Sequence, residues 1–179
     1  MKYDVIIVGA GAAGFGCALT LASANDKFDW AKDKKYLILD NNKSDLNVGK
    51  YCNVAGVEFG INGVDLLEKM KKQLTNYKDC ELKNTTVSKI VKNSDTFTVT
   101  TENETFEANI VVLATGLHKF EIECAGVEVK DNNFVPKPNL IYLANKNNII
   151  SENLYVAGLA QVEMEQKLLV IFLKNGQEK

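Results

Sequence analysis

IIVGAGAAG, residues 6–14, places three glycines in the spacing G-x-G-x-x-G at the end of an apolar run. That run, residues 3–8 (YDVIIV), is rich in β-branched side chains and predicts a short buried strand. Residues 15–24 continue with small and apolar side chains and predict a helix. The stretch therefore predicts strand, tight turn and helix, the opening unit of an α/β fold.

Each glycine of this triplet has a separate role if the turn holds a dinucleotide. Gly9 makes the tight turn, Gly11 lets the backbone approach a pyrophosphate, and Gly14 brings the helix close to the strand. The pyrophosphate then lies on the free N–H groups at the start of the helix. The alternative is a glycine-rich turn that serves packing alone.

A second apolar run, residues 36–40 (YLILD), predicts another buried strand that ends in an acid. An acid at this place accepts hydrogen bonds from ribose hydroxyls in dinucleotide sites. Asp40 follows Gly14 by more than the usual ~20 residues, and the charged segment 25–35 accounts for the excess. Triplet, strands, helix and acid together favour a dinucleotide-binding unit over a packing turn.

Charge and patterning argue against nucleic acid and membrane as partners. The net charge is −2, and no basic run with interleaved aromatic residues is present. Residues 5–24 are largely apolar and resemble a secretion signal, but their four glycines suit a strand-to-helix turn better. Asp4 also stands where such a signal needs positive charge, and glycine clusters disfavour a membrane helix.

The cysteines predict reduced thiols and no metal site. They are scattered, with no C-x-x-C pair, and the single His118 cannot complete a zinc site of the common kinds. Each cysteine is expected to act as a small buried hydrophobic residue, in keeping with a cytoplasmic location. The four are Cys17, Cys52, Cys80 and Cys124.

The rest of the chain alternates strands with helical segments. After a loop at 41–63, Asn62 can cap an amphipathic helix whose apolar stripe is Leu67, Met70, Leu74 and Tyr77. Apolar alternation then predicts a small β-meander, a buried parallel strand, an irregular segment, a further buried strand and a final helix. These elements are residues 81–91, 95–101 and 104–108 for the meander, then 109–116, 117–152, 153–158 and 162–174.

Four motifs, in their order and approximate spacing, resemble the FAD domain of the thioredoxin reductase-like flavoproteins, which carry two dinucleotide-binding domains. The motifs are GAGAAG, CNVAGVEFGINGVDLLEKMKKQ, NIVVLATG and NLYVAG. The resemblance implies an FAD-type Rossmann domain, doubly wound around a mainly parallel sheet, with a small inserted β-meander. It also implies FAD as the cofactor.

The resemblance further implies which residues hold the cofactor. The glycine turn and Asp40 would hold the ADP half of FAD. The backbone near Val87 would lie along the edge of the adenine ring, and Asn53 would lie near the flavin and ribityl chain. Gln166 matches a family glutamine close to the pyrimidine edge of the flavin. The implied cofactor-binding residues are Gly9, Gly11, Ala12, Ala13, Gly14, Asp40, Asn53, Val87, Thr115, Gly116, Gly158, Leu159 and Gln166.

The chain also departs from the family pattern. In the family an NADPH-binding domain separates the ATG strand from the AGD strand, whereas here only residues 117–153 lie between the corresponding strands. We therefore predict a single domain over residues 1–179, formed by segments 1–119 and 126–179 with a short joining loop. Leu159 replaces the family acid that holds the ribityl chain, and the redox C-x-x-C of thioredoxin reductase has no counterpart in these residues.

Two residues are weak candidates for chemistry. Cys52, directly before Asn53, could act as a thiol beside a flavin, or it could be a cysteine that is merely nearby. His118 follows the ATG strand and could act as an acid or base near the cofactor, or it could be a surface histidine.

The sequence thus predicts an FAD-binding flavoprotein oxidoreductase without its own NADPH domain or redox disulfide. Its electrons would come from a protein redox partner, a free small-molecule reductant or a bound substrate, and a homodimer is one expected assembly. The alternative is a non-catalytic nucleotide-binding or interaction module that kept the ADP cradle and lost flavin chemistry.

Overall fold

A computed structural model describes residues 2–133 and 137–161 of the chain. Its regular elements are thirteen strands, two α-helices and three short 3₁₀ turns within those ranges. The helices are α1 (Ala12–Ala24) and α2 (Gly63–Leu74). The strands are β1 (Lys2–Val8), β2 (Tyr36–Asp40), β3 (Lys50–Tyr51), β4 (Ile61–Asn62), β5 (Cys80–Asn84), β6 (Val87–Lys92), β7 (Phe97–Thr101), β8 (Thr105–Leu113), β9 (Glu123–Cys124), β10 (Val129–Asp131), β11 (Ile141–Leu143), β12 (Ile149–Ser151) and β13 (Leu154–Val156).

Five parallel strands in the order β5-β2-β1-β8-β13 form the centre of the main sheet. Their carboxyl ends are in step, since Val8 pairs with both Leu39 and Leu113, and Leu113 also pairs with Val156. Parallel strands of this kind are buried on both faces, which explains the continuous apolar runs in the sequence. The predicted α/β fold with a mainly parallel, Rossmann-type sheet is confirmed.

The β-meander grows out of the same sheet. β8 runs without interruption through residues predicted as two strands, 104–108 and 109–116, and pairs antiparallel with β7, which pairs with β6. Conversely, the single strand predicted over residues 81–91 was wrong, because the structure has two strands there, β5 and β6. β5 belongs to the parallel layer beside β2, while β6 belongs to the meander.

The core lies on both faces of the sheet. On one face, side chains of β1 and β2 pack against α1 and α2; on the opposite face, they pack against the meander. The first face buries Val5, Ile7, Tyr36 and Ile38 with Phe15, Ala18, Ala22 and Leu74. The second buries Ile6, Val8, Leu37 and Leu39 with Val87, Ile90, Phe97, Val99 and Phe106.

The two helices begin where local chemistry places them. The Asn62 side chain accepts a hydrogen bond from the Asp65 N–H at 2.9 Å, which is the predicted N-cap of α2. The predicted apolar stripe packs on the α1 side of the sheet, although its last member, Tyr77, lies beyond the end of α2. Leu66 of α2 is also buried. α1 begins at Ala12, within the glycine triplet, and so is one turn longer than predicted.

The segment after β8 is more regular than expected. β9 pairs in parallel with β6, β10 pairs antiparallel with β11, and β12 pairs with β13. β9 lies within residues 120–126, the predicted join between the two segments of the domain. The predicted helix 162–174 lies outside the described residues. Across the described ranges, neither helix has the length and apolar content that a bilayer crossing requires.

Candidate nucleotide-binding site

A cleft of about 480 Å³ opens at the carboxyl edge of the parallel sheet. This edge is where open α/β sheets bind their ligands. Turns that follow β1, β2, β5, β8 and β13 all contribute to its walls. The lining residues are 8–13, 39–41, 43–46, 51, 85–87, 114–116, 119–122 and 157–159.

Two of the three glycines in the turn are required by close packing. Gly9 has φ +104°, which side chains other than glycine rarely adopt, and a Cβ there would collide with the Ala114 carbonyl oxygen. The Gly9 N–H also donates to the Leu39 carbonyl at 2.8 Å, which ties β1 to β2. A Cβ on Gly14 would collide with the Gly9 carbonyl oxygen, so helix and strand touch at this point.

Gly11 has a different environment. A Cβ built there meets only the Ser44 hydroxyl oxygen, at the ordinary contact distance of 3.5 Å, and its backbone is extended with φ −76°. Gly11 lines the cleft, so the space beside it is open to a ligand. Gly11 is therefore needed for access to the backbone rather than for folding.

The N-terminus of α1 opens into this space without a cap. Gly11 is its N-cap residue, no side chain caps the helix, and the first turn carries no acid. The first N–H groups of a helix have no partner within the helix, and they carry the positive end of its dipole. Together these features form an anion-binding site of the kind that holds phosphate.

Asp40 lies at the predicted place, but its carboxylate is already engaged. Oδ1 accepts from the Ala10 N–H at 2.8 Å, and Oδ2 accepts from the Asn42 N–H at 2.9 Å. Asp40 thus holds the glycine turn and the following loop together. An ionised carboxylate accepts about four hydrogen bonds, so capacity for ribose hydroxyls remains.

Comparison with known proteins assigns the chain that carries this cleft to a family. A family model described as pyridine nucleotide-disulphide oxidoreductase matches residues 3–171. The chain belongs to this family. Thioredoxin reductases and ferredoxin–NADP reductases are among its curated relatives, so the chain is a thioredoxin reductase-like member of a family of FAD-binding flavoproteins.

Three relatives illustrate the extent of the likeness. A ferredoxin–NADP reductase of Leuconostoc citreum is 29% identical over 167 residues, covering 87% of this chain and 45% of the relative. A thioredoxin reductase of Treponema pallidum is 33% identical over 114 residues, covering 64% and 35%. The solved thioredoxin reductase of Gloeobacter violaceus superposes with a TM-score of 0.58 at 30% identity, covering 66% and 38%. The chain spans less than half the length of these three relatives.

The residues present fit the nucleotide half of the family cofactor. The open space at Gly11 and the uncapped helix suit a pyrophosphate. Two hydroxyl oxygens on cleft-lining residues, Oγ1 of Thr85 and Oγ1 of Thr115, are buried without a partner among the described residues. Unpartnered buried hydroxyls beside a cleft are expected where a ligand supplies the missing hydrogen bonds.

Most implied cofactor residues of this family member lie at the cleft. Gly158 has φ +77°, and a Cβ there would lie 2.6 Å from Ala13 Cβ, so β13 ends close against α1. The next residue, Leu159, is 54% exposed. The implied residues that line the cleft are Gly9, Gly11, Ala12, Ala13, Asp40, Val87, Thr115, Gly116, Gly158 and Leu159, with Gly14 packed directly behind them.

Other predicted residues lie elsewhere. Cys52 and Asn53 are exposed and are not among the residues that line the cleft, although their neighbour Tyr51 is. His118 lies at the rim, where its Nε2 is 3.1 Å from Oδ1 of the cleft residue Asp45. Gln166 lies outside the described residues. The roles proposed for these four residues remain predictions.

The remaining cysteines are poor nucleophiles in this environment. Burial raises the pKa of the Cys17 and Cys124 thiols, and burial followed by the nearby Glu81 charge raises the pKa of Cys80 to about 12. Cys52 is exposed, so it is the most accessible of the four thiols. Among residues 2–133 and 137–161, no cluster of His, Cys, Asp or Glu is arranged to hold a metal ion.

Sequence reasoning missed part of the cleft wall. Thr85 and residues 119–122 line it, yet they belong to no glycine motif and no apolar run. Thr85 could have been found from its position directly after β5. From the sequence, β5 and β6 were predicted as one strand over residues 81–91, so the end of β5 was not recognised. For residues 119–122, which follow the ATG strand, no local pattern predicts a return to the cleft.

Proposed function

We propose that this chain binds FAD in the cleft and acts as a flavoprotein oxidoreductase. The observation that carries the proposal is the uncapped N-terminus of α1, which opens into the cleft beside Gly11. FAD supplies reversible hydride and electron transfer when it is bound. The chain's own residues would bind the pyrophosphate at α1, orient the adenosine near Asp40 and Val87, and extend the site toward Gly158.

The test is a titration of the purified chain with FAD, FMN and NAD. NAD shares the ADP half of FAD, so a preference for FAD over NAD is expected only from contacts with the flavin end. FAD is expected to bind more tightly than FMN, because the cradle recognises a pyrophosphate and an adenosine ribose together. FMN lacks both, so equal or tighter binding of FMN would contradict the assignment. Flavin absorbance in the purified protein would support it further, while bound FAD that dithionite fails to reduce would favour a non-catalytic binding module.

We further propose that electrons reach this chain from a protein redox partner or a small-molecule reductant. The relatives are named for thioredoxin and ferredoxin, two small redox proteins, which makes a protein partner of that class the first one to test. The 179 residues contain a single G-x-G-x-x-G triplet after a strand and no C-x-x-C pair. These observations support a site in which the chain's own residues do not position a nicotinamide.

Reduction by free NADPH or NADH is accordingly expected to be slow. Hydride transfer requires reacting atoms held roughly 3–3.5 Å apart, and the sequence contains no second G-x-G-x-x-G triplet to hold the donor. The measurement is anaerobic mixing of the FAD-loaded chain with excess NADPH or NADH, followed by flavin absorbance. Dithionite serves as the control for reducibility, and full bleaching within about a second by either nucleotide would contradict the prediction.

Leu159→Asp is expected to tighten FAD binding. Leu159 lines the cleft with its side chain half exposed, and by the family resemblance an acid at this place holds the ribityl hydroxyls. One or two added hydrogen bonds of ~1 kcal/mol each predict a gain of roughly five- to thirtyfold. Leu159→Ala is the matched control, since it removes the apolar side chain without adding an acceptor. Unchanged or weaker FAD binding by Leu159→Asp would show that Leu159 does not replace the acid.

A further inference from the structure

The Thr85 hydroxyl makes no hydrogen bond with the described residues. Thr85 directly follows β5, and its backbone N–H donates to the Asp40 carbonyl at 2.8 Å, but its Oγ1 is buried without a partner among the described residues. A buried hydroxyl without a hydrogen bond costs free energy that a methyl group of the same shape would not. Valine would therefore serve the apo fold better at this position.

Thr101 illustrates the contrast within the same fold. Thr101 is a buried residue, and its Oγ1 donates to the Glu104 carbonyl at 3.0 Å and accepts from the Glu104 N–H at 3.1 Å. That hydroxyl closes the turn between β7 and β8. The Thr101 hydroxyl thus stabilises a turn through two hydrogen bonds, whereas the Thr85 hydroxyl has no partner among the described residues.

The position of Thr85 along the sheet indicates which part of a ligand it meets. β5 is three strands away from β8 in the order β5-β2-β1-β8. Neighbouring strands lie about 4.8 Å apart, so Thr85 and Thr115 stand on opposite sides of the glycine turn, on the order of 14 Å from each other. With a pyrophosphate at α1, the half of the dinucleotide near Asp40 is the adenosine half. Thr85 lies on that side and contacts Asp40 through the backbone.

We propose that Thr85 is a binding residue for the adenosine half of the dinucleotide, its hydroxyl turning into the cleft to hydrogen-bond the ligand. The turn about the Cα–Cβ bond breaks no hydrogen bond of the described residues, because Oγ1 has none there to lose. Thr85 is among the residues that line the cleft, so a rotation of its side chain is the movement that this role requires. This inference rests on the proposed function.

Removal of the Thr85 hydroxyl is expected to weaken ligand binding but not to lower the stability of the apo protein, and this contrast makes the proposal testable. Thr85→Val is expected to weaken FAD and ADP binding by the same factor, about five- to tenfold. The apo protein carrying Thr85→Val is expected to melt at or above the wild-type temperature. Thr85→Ser keeps a hydroxyl and is expected to bind both ligands within about twofold of wild type.

Two threonines provide controls by the same substitution. Thr101→Val is expected to lower the melting temperature, because it removes both hydrogen bonds of Oγ1 with Glu104 and takes away the side-chain acceptor of the Glu104 N–H. Thr105→Val, at the exposed start of β8 and not among the cleft-lining residues, is expected to change neither affinity nor melting temperature appreciably. The measurements are calorimetric titration with FAD and with ADP, and thermal unfolding of each apo protein.

The outcomes separate this inference from the function on which it rests. Unchanged affinity of Thr85→Val for both ligands, with wild type binding FAD, overturns the role of Thr85 alone. A loss for FAD without a loss for ADP places the contact outside the adenosine half and also overturns it, as does a lowered melting temperature of the apo variant. Failure of the wild type to bind FAD or ADP overturns the proposed function and this inference with it.

Discussion

Gly11→Val is expected to abolish tight FAD binding and to leave the apo fold intact. The backbone at Gly11 is extended, and a Cβ there meets only the Ser44 hydroxyl at 3.5 Å, so the folded chain has room for a Cβ at this position. The added methyl groups occupy the space through which a pyrophosphate would reach the first N–H groups of α1. We expect affinity to fall by roughly a hundredfold or more, about 3 kcal/mol, because the loss includes several charge-assisted hydrogen bonds.

Gly16→Val provides a matched control for this prediction. Gly16 lies in the same helix, is exposed, and has no heavy atom within 4 Å of an added Cβ. Titration with FAD, together with thermal unfolding of each apo protein, separates lost binding from lost folding. Binding of FAD by Gly11→Val as tightly as by Gly16→Val would overturn the assignment of the glycine turn.

Gly14→Ala is expected to destabilise the folded protein rather than to block the binding site. A Cβ on Gly14 collides with the backbone carbonyl of Gly9, and Gly9 cannot yield easily. Its N–H is bonded to Leu39, and the Ala114 backbone lies against it on the side where a Cβ would point. Overpacking against fixed backbone costs 1–3 kcal/mol or more, and we expect about 3 kcal/mol here, a fall in melting temperature of roughly 6–12 °C.

Gly16→Ala again serves as the comparison for Gly14→Ala. It introduces the same methyl group two residues further along the helix, in open space, where better helix propensity is worth up to about 1 kcal/mol of added stability. Denaturant unfolding of the two variants measures the difference directly. Equal stabilities would mean that the contact between α1 and the Gly9 turn is looser than the structure indicates.

The first βαβ unit could be predicted because its signals are local. β2 has the predicted bounds Tyr36–Asp40, and β1 extends only one residue beyond the predicted run. The Asn62 cap, likewise, is a contact between residues three positions apart. Each of these features depends on neighbours in sequence, so the pattern of glycine, acid and apolar side chains was enough to predict it.

Strand boundaries failed where the partner strand decides them. Residues 81–91 have strand-forming composition throughout, and only pairing with β2 on one part and β7 on the other divides them at Thr85 and Thr86. Residues 105–113 were predicted as two strands because their pattern changes from alternating to continuous apolar. The change reflects different neighbours along one strand: β7 beside its first part, β13 beside its last and β1 along most of its length.

The sequence by itself determined the glycine turn, the acid that follows the second strand and the nucleotide-binding class of the site, because these depend on backbone geometry and spacing within short segments. Only the tertiary structure decided which other residues reach the cleft. Asp40 is engaged by two backbone N–H groups, Thr85 carries a buried hydroxyl without a partner among the described residues, and Cys52 stands exposed outside the lining. Hydrogen-bond satisfaction and exposure depend on segments that are distant in sequence, and no pattern within one segment records them.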